Sequence, residues 1–482
     1  MLPAALGQTL SNETVLGVYM FHRHGDRTAK AWPPANLTDL GYKEVYMSGQ
    51  YYRSRYIDSD ATYKIYGIAS DIVDESQISV SSPLDTVLQN SAMGFLQGLY
   101  PPVGSSLDTE LLRNGTTITA PLSGYQLIPV DVVSGGTGEE NDVWLQGDSG
   151  CARATIDSND YFLSQQYNEL LHSTESFYQS LLPVVNSTFD SSELNYKNAY
   201  TIFDYINVAE IHNVSFHPGN VITNETFHQL FTLASAHEWG LAYNKSANMS
   251  AIAAMVVAAQ AVDFLNNTIN SNGSSGTGKI GIQFGAYGTF SSFFGLAIPD
   301  IDAVDPNLYG ICDYASSMVW EMFTNTSTPV TPTSFPSTDE IFVRFMFHNG
   351  SASNVSEPRL YPLFGSNQTV LSWKDFTDGM SKFSIGTTEQ WCNSCGNTTG
   401  TCAAYAPSGS SGSSTSGTNN DHNGNGLSPA VNGVIGAMVT LAVVLGVEAL
   451  IMLLFGLRLV RKSTLVHNAG AGVGASSAEP KA

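Results

Sequence analysis

An apolar run near the C-terminus divides this 482-residue chain into a long body and a short tail. Residues 434–457 are 24 nearly unbroken apolar positions. As an α-helix they would extend about 36 Å, enough to cross the hydrocarbon core of a bilayer. Arg458, Arg461 and Lys462 follow directly, so the positive-inside rule places the C-terminus in the cytoplasm. The run therefore predicts a single-pass membrane anchor. The alternative is a buried core helix, but helices of soluble proteins rarely have so long an apolar stretch.

The charge and composition of the chain narrow its function. There are 20 Lys+Arg against 42 Asp+Glu, a formal net charge of −22. A surface of this sign repels the phosphates of nucleic acids, which excludes DNA or RNA as a partner. Hydrophobic residues make up 43% of the chain and aromatic residues 11%, so the body is expected to bury a large core rather than to be disordered.

Sequons for N-glycosylation crowd the body and do not occur after the apolar run. They begin at Asn12, Asn36, Asn114, Asn186, Asn213, Asn224, Asn244, Asn248, Asn266, Asn272, Asn325, Asn349, Asn354, Asn367 and Asn397. This one-sided distribution predicts a glycosylated body that is lumenal or extracellular, on a cell membrane or another secretory-pathway membrane.

The five cysteines and the N-terminus bear on the same compartment. The cysteines all precede the anchor, and an oxidising compartment predicts two disulfides with one thiol left over, in any of fifteen arrangements. Residues 1–10 lack the basic start and the apolar core of a signal peptide. We therefore expect that a signal sequence precedes the chain as given; the alternative is a cytosolic tail-anchored protein with unused sequons.

Strand and helix patterns alternate along the body. They predict strands over 14–22, 78–82, 280–284 and 341–347, and helices over 37–56, 87–100, 315–323 and most of 155–270. This order indicates an α/β fold with a mixed, mostly parallel central sheet flanked by helices, and an inserted mainly α-helical domain. The predicted organisation is a domain at 10–405 (α/β core at about 10–130 and 276–405, helical insert at about 131–275), a Ser/Gly/Asn-rich stalk at 406–430, a transmembrane helix at 431–457 and a cytoplasmic tail at 458–482.

The first predicted strand leads directly into Arg23-His24-Gly25-Asp26-Arg27. Gly25 lets the backbone turn sharply and approach a ligand. Arg23 and Arg27 supply planar guanidinium groups suited to phosphate oxygens. A His held between them has a ring nitrogen that can attack phosphorus. The motif therefore predicts a phosphate site in which His24 is the nucleophile and the two arginines bind the substrate.

This motif and several later segments resemble the histidine acid phosphatases, the second clade of the histidine phosphatase superfamily, which has the phosphoglycerate mutase-like fold and includes fungal phytases. The resemblance covers roughly residues 13–405 and rests also on 37–41, 49–56, 91–101 and 343–350. In that family the first His forms a phosphohistidine, the arginines bind phosphate, and a later His-Asp pair supplies a further phosphate contact and the general acid. The resemblance implies an acid phosphatase that acts on a small phosphorylated substrate and needs no cofactor or metal. With the predicted anchor at the C-terminus, the protein is expected to be a membrane-anchored acid phosphatase.

Three positions depart from the family pattern and suggest a divergent, fungal-type member with a degraded active site. Val87 stands where the family has an arginine, four residues before Ser91. Tyr287 and Gly288 stand where the His-Asp pair would fall. Tyr287 can still donate a hydrogen bond to phosphate and is a candidate substrate-binding residue, whereas Gly288 cannot be an acid.

Three other candidates could replace the missing acid. His348 is followed by Asn349, which has no proton to give, and Asp26 lies at a variable position of the motif. His237-Glu238 has the right chemistry, but its helical context predicts a solvated pair. Two functions stay open: a phosphomonoester hydrolase that works through a phosphohistidine on His24, or a catalytically inactive phosphatase-fold protein that acts as a cell-surface phosphate-binding or interaction module.

Overall fold

The structure is a computed structural model that describes residues 13–406 apart from 105–106, 108, 134–149, 217–218, 275, 277 and 300. The predicted transmembrane helix and cytoplasmic tail, and all of the predicted stalk except Ala406, lie outside the described residues. Within them, the segment Asn248–Asn270 is long and apolar enough to cross a membrane, but 72% of its most apolar stretch is buried in the protein, as in a core helix.

Ten strands are described. They are β1 (Thr14–Arg23), β2 (Ile78–Pro83), β3 (Thr109–Leu111), β4 (Thr117–Thr119), β5 (Asp131–Val133), β6 (Ile280–Gly285), β7 (Ser317–Thr324), β8 (Ile341–His348), β9 (Arg359–Tyr361) and β10 (Val370–Ser372). Eight of them form one sheet in the order β10-β8-β7-β1-β6-β2-β5, with β9 paired to β8, while β3 and β4 form a separate hairpin.

The α-helices flank this sheet or connect its strands. They are α1 (Asp39–Tyr56), α2 (Thr86–Leu99), α3 (Pro121–Gly124), α4 (Ala152–Asn159), α5 (Gln165–Ser173), α6 (Glu175–Gln179), α7 (Leu182–Val185), α8 (Ala199–His212), α9 (Asn224–Ala242), α10 (Ile252–Asn270), α11 (Tyr287–Ala297), α12 (Ile301–Val304), α13 (Trp373–Met380) and α14 (Thr388–Cys395). The mixed α/β architecture is therefore confirmed.

The expectation of a mostly parallel sheet is wrong. β1–β6, β6–β2 and β2–β5 are parallel, but β1–β7, β7–β8, β8–β10 and β8–β9 are antiparallel. The predicted helix over 315–323 is in fact β7, and all eight of its residues are buried. A strand buried on both faces has no polar alternation, so its apolar run cannot be distinguished from a buried helix by periodicity.

Side chains of β1 contribute to two hydrophobic cores, one on each face of the sheet, with a register shift between Val15 and Gly17. Leu16, Tyr19 and Phe21 pack with residues of α10 and α11. Val18 and Met20 pack with residues of α1 and α2 on the opposite face. Because successive side chains of a strand point to opposite faces, this burial fixes the direction in which β1 delivers the residues that follow it.

The described residues between β5 and β6 form helices and no strand. They contribute most of a hydrophobic cluster that is rich in tyrosine. The predicted boundaries of the insert stay a prediction.

Disulfides join Cys151 to Cys395 and Cys392 to Cys402, and Cys312 is a buried thiol. This agrees with the expected two disulfides and one remaining thiol.

Candidate active site

The ends of β1 and β6 lie side by side, because the two strands are parallel neighbours with Arg23 opposite Gly285. β1 leads into the motif at 23–27, and β6 leads through Ala286 into α11, whose first residue is Tyr287. The carboxyl ends of adjacent parallel strands are the usual position of ligand sites in α/β sheets. The fold thus brings together the four predicted site residues Arg23, His24, Arg27 and Tyr287.

Close backbone packing holds the turn after His24. A Cβ atom at Gly25 would lie 2.2 Å from the carbonyl oxygen of Gly41, in the first turn of α1, so only glycine fits there. The Gly25 N–H donates to the Ser91 hydroxyl of α2 at 3.2 Å. The turn is therefore clamped between α1 and α2, which fixes the backbone on which His24 stands.

The central side chains are almost fully buried: 3% of Arg23, 2% of His24 and 1% of Arg27 is exposed. The half-buried ring of Tyr314 lies against all three. Its centroid is 5.7 Å from the His24 ring, 4.6 Å from Cζ of Arg23 and 6.0 Å from Cζ of Arg27. Tyr314 thus shields the site from solvent.

The His24 imidazole is held in the form that can act as a nucleophile. Its Nδ1 is 2.8 Å from the Gly25 carbonyl oxygen. A carbonyl only accepts, so Nδ1 carries the proton and Nε2 carries the lone pair of the neutral ring. Burial, and then the positive charges of Arg23 and Arg27, lower the pKa of His24 well below its usual value of 6.5. The ring is therefore neutral at neutral pH.

Each arginine is anchored by its terminal nitrogens. Arg27 donates from Nη1 and Nη2 to the two carboxylate oxygens of Asp204, at 3.2 and 2.8 Å, and from Nη2 to the Tyr200 hydroxyl at 2.9 Å. Arg23 donates from Nη1 to the carbonyl of Cys312. The Nε of both arginines is buried and has no hydrogen-bond acceptor among the described residues. One buried guanidinium N–H of each arginine therefore remains for an anion.

Tyr287 joins this site to a carboxylate from the helical segment. Its ring centroid is 5.2 Å from Cζ of Arg23, and its hydroxyl donates to Oε2 of Glu238 at 2.7 Å. The other oxygen of Glu238 is 2.8 Å from Nδ1 of His237. The expectation of a solvated His237-Glu238 pair is wrong, because His237 is buried among four aromatic rings that come from residues 161–196. The helical spacing of His237 from the buried Leu230 and Leu233 is the signal that could have revealed it.

Two cavities adjoin the site, and Tyr200 lines both. One has a volume of about 460 Å³ and is lined by Lys30, Tyr200, Glu238, Tyr287, Thr289 and other residues. The other has a volume of about 330 Å³ and is lined by Arg23, Glu44, Asp204, Asp313, Tyr314 and other residues. Burial raises the pKa of Glu44 to about 7.

The other sequence candidates make contacts elsewhere. Asp26 accepts from the Thr38 hydroxyl and pairs with Nε2 of His212. His348 uses Nδ1 for the Gly350 carbonyl and Nε2 for the Ser356 hydroxyl, and it lines a separate cavity of about 200 Å³. Val87 is buried in the first turn of α2.

The described residues offer few other arginines for the site and no cluster of metal-ligating side chains. Of the other described arginines, Arg53, Arg55 and Arg344 make their contacts away from His24. Within the described part of the chain, no group of three or more His, Cys, Asp or Glu side chains could hold a metal ion. Sequence reasoning missed Tyr200, Asp204 and Tyr314, since only the fold brings them to the motif.

Comparison with known proteins agrees with this fold. The model of the histidine phosphatase superfamily (branch 2) matches residues 31–348, well over half of the chain. The chain therefore belongs to the histidine phosphatase superfamily, branch 2. A comparison with the curated proteins gave no match.

Two solved structures share the fold at low sequence identity. The phytase of Klebsiella sp ASR1 is 11% identical with a TM-score of 0.51, and the match covers 78% of this chain and 95% of that one. The phytase of Citrobacter braakii is 13% identical with a TM-score of 0.50, and the match covers 78% and 100% of the two chains.

Proposed function

We propose that this chain is a membrane-anchored phosphatase that hydrolyses small phosphomonoesters through a phosphohistidine on His24. The observation that carries the proposal is that the buried Nε–H groups of Arg23 and Arg27, the two arginines that flank the neutral His24 in the sequence, have no acceptor among the described residues. Buried donors without acceptors are costly, and a phosphate oxygen is the acceptor that planar guanidinium groups favour.

The reaction follows from these positions. The two Nε–H groups hold the phosphoryl oxygens while Nε2 of His24 attacks phosphorus and the P–O bond to the alcohol breaks. Water then attacks the phosphohistidine, which releases inorganic phosphate and restores the imidazole. The cavity of about 460 Å³ beside Tyr287 has room for the alcohol part of a small substrate.

The proposed location rests on the sequons and the C-terminal apolar run. None of the fourteen sequon asparagines in the described residues is buried, so each is accessible for glycosylation. We infer a glycosylated body on the lumenal or extracellular side of its membrane, with the C-terminus in the cytoplasm. Glycosidase treatment should lower the apparent mass of the full-length protein, and protease should cleave only the tail in sealed microsomes.

Phosphate release tests the activity. Full-length protein in detergent should release phosphate from p-nitrophenyl phosphate between pH 3 and 7. Quenching with an alkaline denaturant, in which the P–N bond of phosphohistidine is stable, should trap phosphate on His24. The matched control is His24→Asn, which keeps a polar side chain of similar size but offers no nucleophilic nitrogen. Absence of release from the wild type at every pH would overturn the proposal.

The second candidate, a phosphate-binding or interaction module without turnover, has its own supporting observation. Asp204 already occupies both terminal nitrogens of Arg27, and Gly288 offers no acid. This candidate predicts that inorganic phosphate raises the melting temperature of the wild type, and not of Arg23→Gln, although no phosphomonoester is hydrolysed. Release of phosphate by the wild type but not by His24→Asn would reject it.

A further inference from the structure

The carboxyl group of Glu238 lies where the proposed reaction needs a proton. Expulsion of an alkoxide is slow unless an acid protonates the leaving oxygen. The histidine acid phosphatases carry this acid after the strand that corresponds to β6, where this chain has Tyr287-Gly288. Tyr287 is in contact with Arg23 and hydrogen-bonds to Glu238. Both Tyr287 and Glu238 line the cavity of about 460 Å³, which is the space proposed for the alcohol.

Glu238 is held firmly in this position. His237 donates from Nδ1 to Oε1 of Glu238, and the ring of His237 packs among aromatic side chains that include Tyr161 and Tyr196. Oε2 of Glu238 is thereby directed to the Tyr287 hydroxyl. A carboxyl group fixed by packing and by a second hydrogen bond is the arrangement expected of a preorganised proton donor.

Of the other carboxylates near His24, Glu44 and Asp313 line the other cavity, of about 330 Å³, and two more are already engaged. Asp204 accepts from Arg27 and from the Lys30 backbone N–H. Asp26 is bonded to Thr38 and His212. Among the described residues that line the cavity proposed for the alcohol, Glu238 is the carboxyl group.

We propose that Glu238 and Tyr287 together supply the proton that the missing His-Asp pair would give; this inference rests on the proposed phosphatase function. When Glu238 is protonated, the hydrogen bond between the two side chains runs the other way, from Oε2–H of Glu238 to the Tyr287 oxygen, and the Tyr287 hydroxyl points to the substrate. As the P–O bond breaks, the Tyr287 hydroxyl gives its proton to the leaving oxygen and takes the proton of the Glu238 carboxyl. The products are the free alcohol, the phosphohistidine and the Glu238 carboxylate. When water attacks the phosphohistidine, its proton returns through Tyr287 to Glu238, so the cycle closes without another reactant.

The dependence of rate on the leaving group tests this role. p-Nitrophenolate leaves with little protonation, whereas the alkoxide of glycerol 2-phosphate needs it. In full-length protein, Glu238→Gln should lower kcat/KM for glycerol 2-phosphate by about 10²-fold and for p-nitrophenyl phosphate by less than about threefold. Tyr287→Phe should act in the same selective direction, and Glu238→Asp should recover part of the loss. Glu225→Gln, on an exposed position of the same helix, is the matched control.

Each other result has a definite meaning. Equal losses on both substrates would show a structural role for Glu238, and unchanged rates on both would show no role; either overturns the inference while leaving the phosphatase function standing. Gln keeps the shape of the side chain and an oxygen that accepts from Tyr287, and Tyr287→Phe tests the relay without altering Glu238. If the wild type hydrolyses neither substrate, the proposed function itself fails, and this inference fails with it.

Discussion

The two strand ends that meet at the candidate site have diverged to different degrees. The end of β1 keeps the charged Arg-His-Gly-x-Arg motif, whereas the end of β6 keeps its strand-to-helix geometry but carries Tyr287-Gly288. The side-chain contacts at the two strand ends explain this difference. Arg23 and Arg27 bond to Cys312 and Asp204 and serve the fold. At Gly288, an added Cβ would meet no heavy atom within 4 Å, so exchange there costs the fold little. Persistence of the β1 motif alone is therefore not proof of catalysis.

The largest expected effect is on catalysis by His24, and it distinguishes a catalytic from a structural role of the motif at 23–27. We expect His24→Ala to reduce phosphate release to background, because no other described nucleophile stands between the two arginines. The change should be measured on p-nitrophenyl phosphate together with the melting temperature, so that unfolding is not mistaken for lost chemistry. A folded His24→Ala variant with wild-type turnover would show that the motif is kept for the fold alone.

The next effect concerns stability. Arg27→Ala leaves the carboxylate of Asp204 buried without its partner, and it should lower the free energy of unfolding by about 3–5 kcal/mol. The double variant Arg27→Ala/Asp204→Ala removes both charges and should recover most of this loss, which urea denaturation can measure as a double-mutant cycle. Additive losses in the cycle would contradict the structural role assigned to the pair.

How far the sequence predicts this molecule depends on the separation of the interacting residues. The motif at 23–27, the strand before it and the helix after it involve near neighbours, and their pattern predicts them. Asp204 and Tyr314 contact the same motif from more than 170 positions away, and neither belongs to a pattern that points to Arg27. The misassigned β7 and the buried His237 have the same cause: burial is decided by the partner element, which local periodicity does not contain.

A smaller effect is expected when an acidic side chain is introduced at the end of β6. Gly288→Asp places a carboxyl group at the start of α11, where the Cβ finds open space. Introduced into the Glu238→Gln variant, which lacks the proposed proton donor, it should raise kcat for glycerol 2-phosphate by about tenfold, because general acid help is worth more for a poor leaving group. Gly288→Asn has the same shape without the acid and is the control. A gain in both variants would mean that the site responds to shape and not to proton supply.

The smallest expected effect is that of the Glu44 charge on the binding of phosphate at the end of β1. Glu44 of α1 lines the same cavity as Arg23, and burial raises its pKa to about 7, with a further upward contribution from the charge of Asp26. Above pH 7 the carboxylate is charged and opposes a phosphate beside Arg23; below it the group is neutral and the opposition is lost. The KM of the wild type should therefore be about threefold higher at pH 8 than at pH 6, relative to Glu44→Gln.

Taking the ratio of wild type to Glu44→Gln at each pH cancels the ionisation of the substrate itself, since both proteins bind the same species. Glu75→Gln, at an exposed position, controls for the loss of one negative charge anywhere on this acidic body. An equal ratio at pH 6 and pH 8 would mean that Glu44 does not sense the bound phosphate. The arginine beside it would then hold its anion elsewhere, and the phosphate position proposed between Arg23 and Arg27 would have to be abandoned.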